Sequence, residues 1–340
     1  MYTKFRVGDL VEIKTAKEIH ATLDECGCLE NLPFMPEMLA FTGRRFRVSK
    51  RAHKTCDTVY QTGGRKLKNC VHLEDLRCDG AAHDGCKASC LLFWKDAWLK
   101  RVKTPAKSAP VANRPTEELA ELLGANAQQS SDATEKTIYR CQATALFEAT
   151  EPLVWWNPAQ YIEDLTSGNT RFGQMFRIWF FHGLHKLMGL GVGFRLWRRI
   201  YDFFQLRVGG FRYPFRAGLV PDGSKTPSNT LDLQVGERVR IKHHDEILKT
   251  LDRRKSNRGM RFDEEMVLYC GKTYSVRRRV DKIIHETTGE MIEFASPSVI
   301  LDGVVCRSEV SRCRLFCPRA IPSYWRDIWL ERVDPDTTSE

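Results

Sequence analysis

Two stretches of the chain carry the same alternation of apolar and polar residues. Residues 5–14, FRVGDLVEIK, set Val11 and Ile13 on either side of Glu12, behind a turn glycine. Residues 233–242, LQVGERVRIK, repeat the pattern 228 positions later, Val7 matching Val235. Period-two alternation of this kind predicts a strand with one buried face. The register then continues: Ile19, Thr22, Leu23 and Asp24 match Ile247, Thr250, Leu251 and Asp252, and Phe34, Met38, Gly43 and Val48 match Phe262, Met266, Gly271 and Val276. An order-preserving match over about a hundred residues predicts a duplicated domain.

In each copy the first strand leads into a short helix, KEIHATLD or DEILKTLD, then a loop and further strands. Those strands include GRRFRV and GKTYSV, and the last of them is WKDAWLKRV or WRDIWLERV. Short strands joined by glycine turns predict a small β-barrel. The copies span 1–103 and 231–335. Between them, 104–137 is rich in Ala, Pro, Ser and Thr, with one helical run, TEELAELLGA, and reads as a flexible linker. Residues 138–230 read as a helical, basic and aromatic middle segment, in which Asn157 is the expected N-cap and Pro158 the first residue of a helix.

Residues 172–188 predict an amphipathic helix. At about 100° per residue, Phe172, Phe176, Trp179, Phe180, Leu184 and Leu187 share one face, while Gln174, Arg177 and His185 lie opposite. That face is expected to pack inward.

Charge sharpens the picture locally. The net charge is +10, and 171–216 holds nine basic residues with Asp202 as the lone acid. Such a segment attracts phosphates, of nucleic acid or of lipid. The start, MYTKFRVGDL, has no apolar signal segment. A cytoplasmic protein, or one bound to the periphery of a membrane, is therefore expected, and its twelve cysteines point to metal before disulfides.

The cysteines follow the repeat. Cys78, Cys86 and Cys90 precede one tryptophan pair, Trp94 and Trp98; Cys306, Cys313 and Cys317 precede the other, Trp325 and Trp329. Upstream lie Cys56 in KTCDT and His285 in KIIHET, in matching positions. Zinc takes thiolate and imidazole ligands interchangeably in tetrahedral sites. Two structural zinc ions are expected, one on Cys56, Cys78, Cys86 and Cys90, the other on His285, Cys306, Cys313 and Cys317. An iron–sulfur cluster is the competing cofactor, and Cys70 and His72 are alternate ligands. Asp57–Thr58 and Glu286–Thr287, just after the upstream ligands, are expected to orient them. Closed four-ligand sites stabilise folding and leave no position for a substrate.

The opening F-x-V-G-D-x-V-x-I resembles the first strand of SH3-like barrels, which implies an α+β protein of two duplicated SH3-like barrels with zinc-binding loops. The runs LPFMPEML, KTCDT, VHLEDLRCDG, FWKDAWLKRV and WWNPAQYIEDL resemble an uncharacterised bacterial family met near polysaccharide and natural-product biosynthesis genes. The resemblance covers most of the chain and implies kinship without an activity.

No Gly-x-Ser-x-Gly elbow, His-Glu-x-x-His or phosphate-binding loop is present. The expected function is a non-catalytic, zinc-stabilised binding or scaffold protein that meets a protein partner or a membrane surface through 171–216. Nucleic-acid binding is one alternative; an enzyme or accessory factor of polysaccharide or natural-product biosynthesis is the other. No small-molecule substrate is identifiable.

Overall fold

The computed structural model describes residues 4–103, 117–130, 137–189, 193–207, 212–311 and 314–333. The chain forms two compact units. One comprises Met1–Phe172 with Lys282–Glu293 and Cys313–Ala320; the other comprises Gly173–Asp281, Phe294–Arg312 and Ile321–Glu340. The middle segment is thus divided after Phe172.

The first unit is built on five antiparallel strands: β1 (Leu10–Ile13), β2 (Arg45–Arg51), β3 (Cys70–Leu73), β4 (Trp94–Lys95) and β5 (Leu99–Arg101). Their order is β4-β3-β2-β1-β5. Val11 lies opposite Phe46 on one side and Arg101 on the other. Helix α1 (Ala16–His20) follows β1 because Thr15 and Glu18 form a reciprocal capping box. A second, three-stranded sheet joins Lys54–Cys56, Gly64–Lys66 and Glu151–Leu153. The TEELAELLGA run forms α2 (Glu117–Ala127), which buries Leu119, Leu123 and Ala127 in the core of this unit. The remainder of the expected linker, 104–116 and 131–136, lies outside the described residues. Helix α3 (Pro158–Thr166) starts as expected, with the Asn157 side chain accepting from the Ala159 N–H at 3.0 Å.

The second unit is dominated by α4 (Phe172–Gly189), α5 (Phe194–Arg207) and another five-stranded antiparallel sheet. Its strands are β6 (Arg238–Ile241), β7 (Thr273–Ile284), β8 (Met291–Val305), β9 (Pro322–Arg326) and β10 (Leu330–Arg332), with α6 (His244–Leu248) after β6; the end of β7 from Lys282 and the start of β8 to Glu293 fall in the first unit. The order β9-β8-β7-β6-β10 is that of the first sheet. Val239 faces Tyr274 and Arg332, just as Val11 faces Phe46 and Arg101.

Neither sheet closes into a barrel, which corrects the SH3-like expectation. Closure would need the edge strands β4 and β5 to pair with each other. They follow one another in the chain, are two and three residues long, and are separated by a 3-10 turn, Asp96–Trp98. Strand β4 pairs with β3 and β5 with β1, leaving two open edges among the described residues. The same turn, Asp327–Trp329, separates β9 from β10. What WKDAWLKRV suggested as one strand is therefore two. The turn forms because its aspartate has a buried partner: Asp96 takes both oxygens to Arg51 Nη1 at 2.7 Å, and Asp327 accepts from the Leu231 N–H at 2.7 Å.

Each sheet is closed over by tryptophans. Trp94 and Trp98 are fully buried and meet Phe34 edge-on, with ring centroids 6.2 and 5.1 Å away. Trp325 and Trp329 do the same with Phe262 at 6.0 and 5.3 Å. Burying an aromatic of this size contributes roughly 4–6 kcal/mol by area.

Helix α4 lies where its periodicity predicts, but of the face expected inward only Leu184 is buried. Met175, Ile178, Leu184 and Met188 are buried, whereas Phe172, Phe176, Trp179, Phe180 and Leu187 are exposed. Leu184 and Met188 pack with Tyr201 of α5 and with Tyr213. No described helix is long and apolar enough to cross a membrane.

Candidate metal centre

In the first unit, the loop after β3 folds back on itself within a few residues. The Cys78 N–H donates to the Cys90 carbonyl at 2.8 Å, the N–H groups of His83 and Gly85 both donate to the Gly80 carbonyl at 3.0 Å, and the Cys86 N–H reaches His83 at 3.1 Å. Gly80 makes this turn feasible. Its φ of +82° is left-handed, and a Cβ there would sit 2.0 Å from the Cys86 carbonyl oxygen. The turn carries His83 inward until it is 1% exposed, with Nδ1 3.9 Å from Cys78 Sγ.

A third donor comes from the 3-10 turn Pro36–Phe41, which follows the buried Phe34 and Met35 and brings Glu37 to the same place. Donor atoms of Glu37, Cys78 and His83 all lie within 4.8 Å of one another. Neither Glu37 oxygen nor His83 Nε2 has a hydrogen-bond partner. Burial pushes the Cys78 thiol up, and the charge of Glu37 pushes it further. Orphaned polar atoms in a buried pocket are costly, and a cation among them would remove the cost. Carboxylate, thiolate and imidazole are a zinc-compatible set. The adjoining cavity, about 30 Å³, is lined by these three residues together with Cys86, Cys90 and Cys141. That volume corresponds to about two water molecules.

Among the described residues this is the one group of three or more such donors close enough to share an ion. Of the expected first set it contains Cys78. Cys86 and Cys90 line the adjoining cavity, and the Cys90 thiol is raised to about 12, chiefly by burial. Cys56 lies elsewhere, at the end of the strand Lys54–Cys56, where its N–H donates to Cys317 Sγ at 3.2 Å. Hydrogen bonding from the Cys56 thiol lowers the Cys317 pKa to about 6. The expected second set is divided: His285 and Cys317 belong to the first unit and Cys306 to the second. His285 Nδ1 is 3.1 Å from Thr288 Oγ1 in an exposed turn, and Cys306 Sγ is 3.6 Å from Ser308 Oγ. Cys313 lies outside the described residues.

The alternates Cys70 and His72 are core residues. Burial lifts the Cys70 thiol to about 12 and drops His72 to about 4, with His72 Nδ1 2.9 Å from the Leu92 carbonyl. Asp57 holds a turn, accepting from the N–H groups of Val59 and Tyr60 at 2.9 Å. Thr58 hydrogen-bonds Glu286, which pairs with the buried Arg319 at 2.7 Å. Burial opposes the Arg319 charge, but Glu286 and the nearby thiols of Cys90 and Cys56 keep its pKa raised.

Sequence reasoning missed Glu37 and His83. His83 had a local signal, since it stands between two cysteines in CDGAAHDGC. Glu37 is the single acid in LPFMPEMLAF, an otherwise apolar run. No family model, curated protein or solved structure matches this chain.

Proposed function

We propose that the protein is a non-catalytic binding protein whose first unit is held together by one zinc ion on Glu37, Cys78 and His83. One observation carries this reading: three donors of zinc-compatible chemistry converge in a buried pocket, where both Glu37 oxygens and His83 Nε2 are left without hydrogen-bond partners. The fourth ligand would be water or a thiol from the adjoining cavity. The small cavity supports a structural ion over a catalytic one, because a catalytic zinc needs space for its substrate beside the open position. We read the shared strand order of the two sheets as two copies of one module, of which the first kept the ion. The exposed aromatic and basic surfaces of α4 and α5 are the binding part.

Elemental analysis of the purified full chain tests the metal. About one zinc per chain is expected, lost in Cys78→Ser and His83→Ala and weakened in Glu37→Gln. Zinc retained in full by both Cys78→Ser and His83→Ala would remove the assignment, and two zinc ions per chain would favour the sets containing Cys56 and His285.

A further inference from the structure

Helix α4 turns its largest apolar side chains outward. Phe176 is 61% exposed, Trp179 43%, Phe180 49% and Leu187 48%. At about 100° per residue these four positions and Gly183 fall within one arc of roughly 100°, and none of them is charged. The opposite side of the helix is already committed, with Met175, Ile178, Leu184 and Met188 in the interior. Clustered exposed aromatics of this size mark a surface that water does not normally keep.

Helix α5 has a different outer face. Tyr201 and Gln205 point inward, and the far side shows Leu196, Phe203 and Leu206 interleaved with Arg195, Arg199 and Arg207. The Arg207 guanidinium lies 4.2 Å from the Phe203 ring centroid. No carboxylate partner is seen for Arg195 or Arg199 among the described residues. The lone acid of 171–216, Asp202, accepts from the Tyr213 N–H at 2.8 Å and sits 3.8 Å from Arg198. The outward charge of α5 is therefore positive.

We propose that α4 and α5 lie in the headgroup layer of an anionic lipid bilayer, with the Phe176–Trp179–Phe180–Leu187 stripe reaching the acyl boundary and the α5 arginines on lipid phosphates. The inference deepens the reading of the chain as a binding protein and is independent of the metal. Its chemistry is that of interfacial helices, in which aromatics enter the boundary and arginines stay with the phosphates. The charge pattern selects this occupant. A second copy of the chain would set one arginine-rich, acid-poor face against another. A single-stranded nucleic acid needs several cations beside the stacking rings, and on α4 only Lys186 adjoins the stripe. No described helix is long and apolar enough to cross.

Co-sedimentation of the full chain with vesicles decides the matter. Vesicles of phosphatidylcholine with about a third phosphatidylserine should bind the protein, pure phosphatidylcholine should bind it far less, and added salt should weaken binding. Trp179→Ala with Phe180→Ala should reduce affinity on the order of tenfold. Arg195→Glu with Arg199→Glu should remove the preference for anionic lipid. All four positions are exposed, so an unchanged melting temperature confirms the fold in each variant. Failure to bind phosphatidylserine vesicles at low salt overturns the proposal, as does binding that neither variant alters. Tight binding of a short RNA or of a protein with no vesicle binding overturns it in favour of that partner. Zinc content unaffected in every variant separates this outcome from failure of the metal assignment.

Discussion

Trp98 donates its indole N–H to the Thr22 hydroxyl at 3.1 Å, and the Thr22 O–H donates in turn to the Ile19 carbonyl at 2.7 Å. The second sheet has the same relay, from Trp329 to Thr250 at 3.0 Å and on to Ile247 at 2.7 Å. Both indoles are fully buried, so water cannot replace the threonine. Thr22→Val and Thr250→Val should each cost about 1–3 kcal/mol, the penalty for a buried donor left unpaired. Urea unfolding of the two variants checks this. A cost near zero in either would mean that the indole finds another acceptor.

A buried ion pair underlies α3. Lys54 Nζ lies 2.5 Å from Asp164 Oδ2, and His53 Nε2 is 3.4 Å from the other oxygen. Burial pushes Asp164 up and Lys54 down, and each charge pulls the other back toward ionisation. Lys54 also faces the rings of Tyr161 and Phe316 at 5.2 and 5.3 Å. Asp164→Ala strands the ammonium and should cost about 3–5 kcal/mol. Lys54→Met with Asp164→Leu removes both charges at similar volume and should recover most of that loss. A double variant as unstable as the single one would show that the pair does more than cancel its own burial.

The elements that the chain's pattern announces are those whose cause is local or periodic. Val11 and Val239 mark interior strands because alternation is a property of neighbouring residues, and the two sheets have the same strand order. Asn157 caps α3 through a bond only two residues long. Three features depend on what the chain meets after folding. Edge strands as short as Trp94–Lys95 look continuous with the next strand until Arg51 draws Asp96 into a turn. On α4, Phe176 and Trp179 are larger than Met175 and Ile178. Periodicity identifies a face without saying what covers it, and the smaller side chains are the ones inside. The meeting of Glu37 with Cys78 and His83 joins residues some forty positions apart, with no repeat to announce it.

Glu265 makes stability pH-dependent. One of its oxygens accepts from the N–H groups of Val310 and Ser311 at 2.7 and 2.9 Å, and the other has no partner. Burial raises its pKa, and the backbone donors only partly offset this. A folded-state value above the unfolded one near 4.5 gives stability that is complete below that pH and is lost as pH rises through the folded value. Glu265→Gln keeps an acceptor for Val310 and Ser311 without the charge. Relative to the parent, the variant should gain stability as pH rises above about 4.5 and level off once the pH has passed the folded value. Paired urea titrations at several pH values measure the difference. A gap independent of pH would show that Glu265 titrates like a free carboxylate.

Gly80 tests whether the metal loop depends on backbone geometry as well as on its ligands. A methyl group there meets the Cys86 carbonyl oxygen at 2.0 Å, on a backbone with φ of +82°. The left-handed conformation alone costs a side chain about 1–2 kcal/mol, and the clash adds displacement of Cys86. Because the Gly80 carbonyl accepts from both His83 and Gly85, any shift moves His83 away from Cys78. Gly80→Ala should therefore lose zinc as fully as His83→Ala, although no ligand atom has changed. Gly124→Ala, in the exposed interior of α2 with nothing within 4 Å of the added carbon, serves as the comparison. It should keep its zinc and gain about 0.5–1 kcal/mol. Full zinc content in Gly80→Ala would mean that Cys78 and His83 hold their places without this turn.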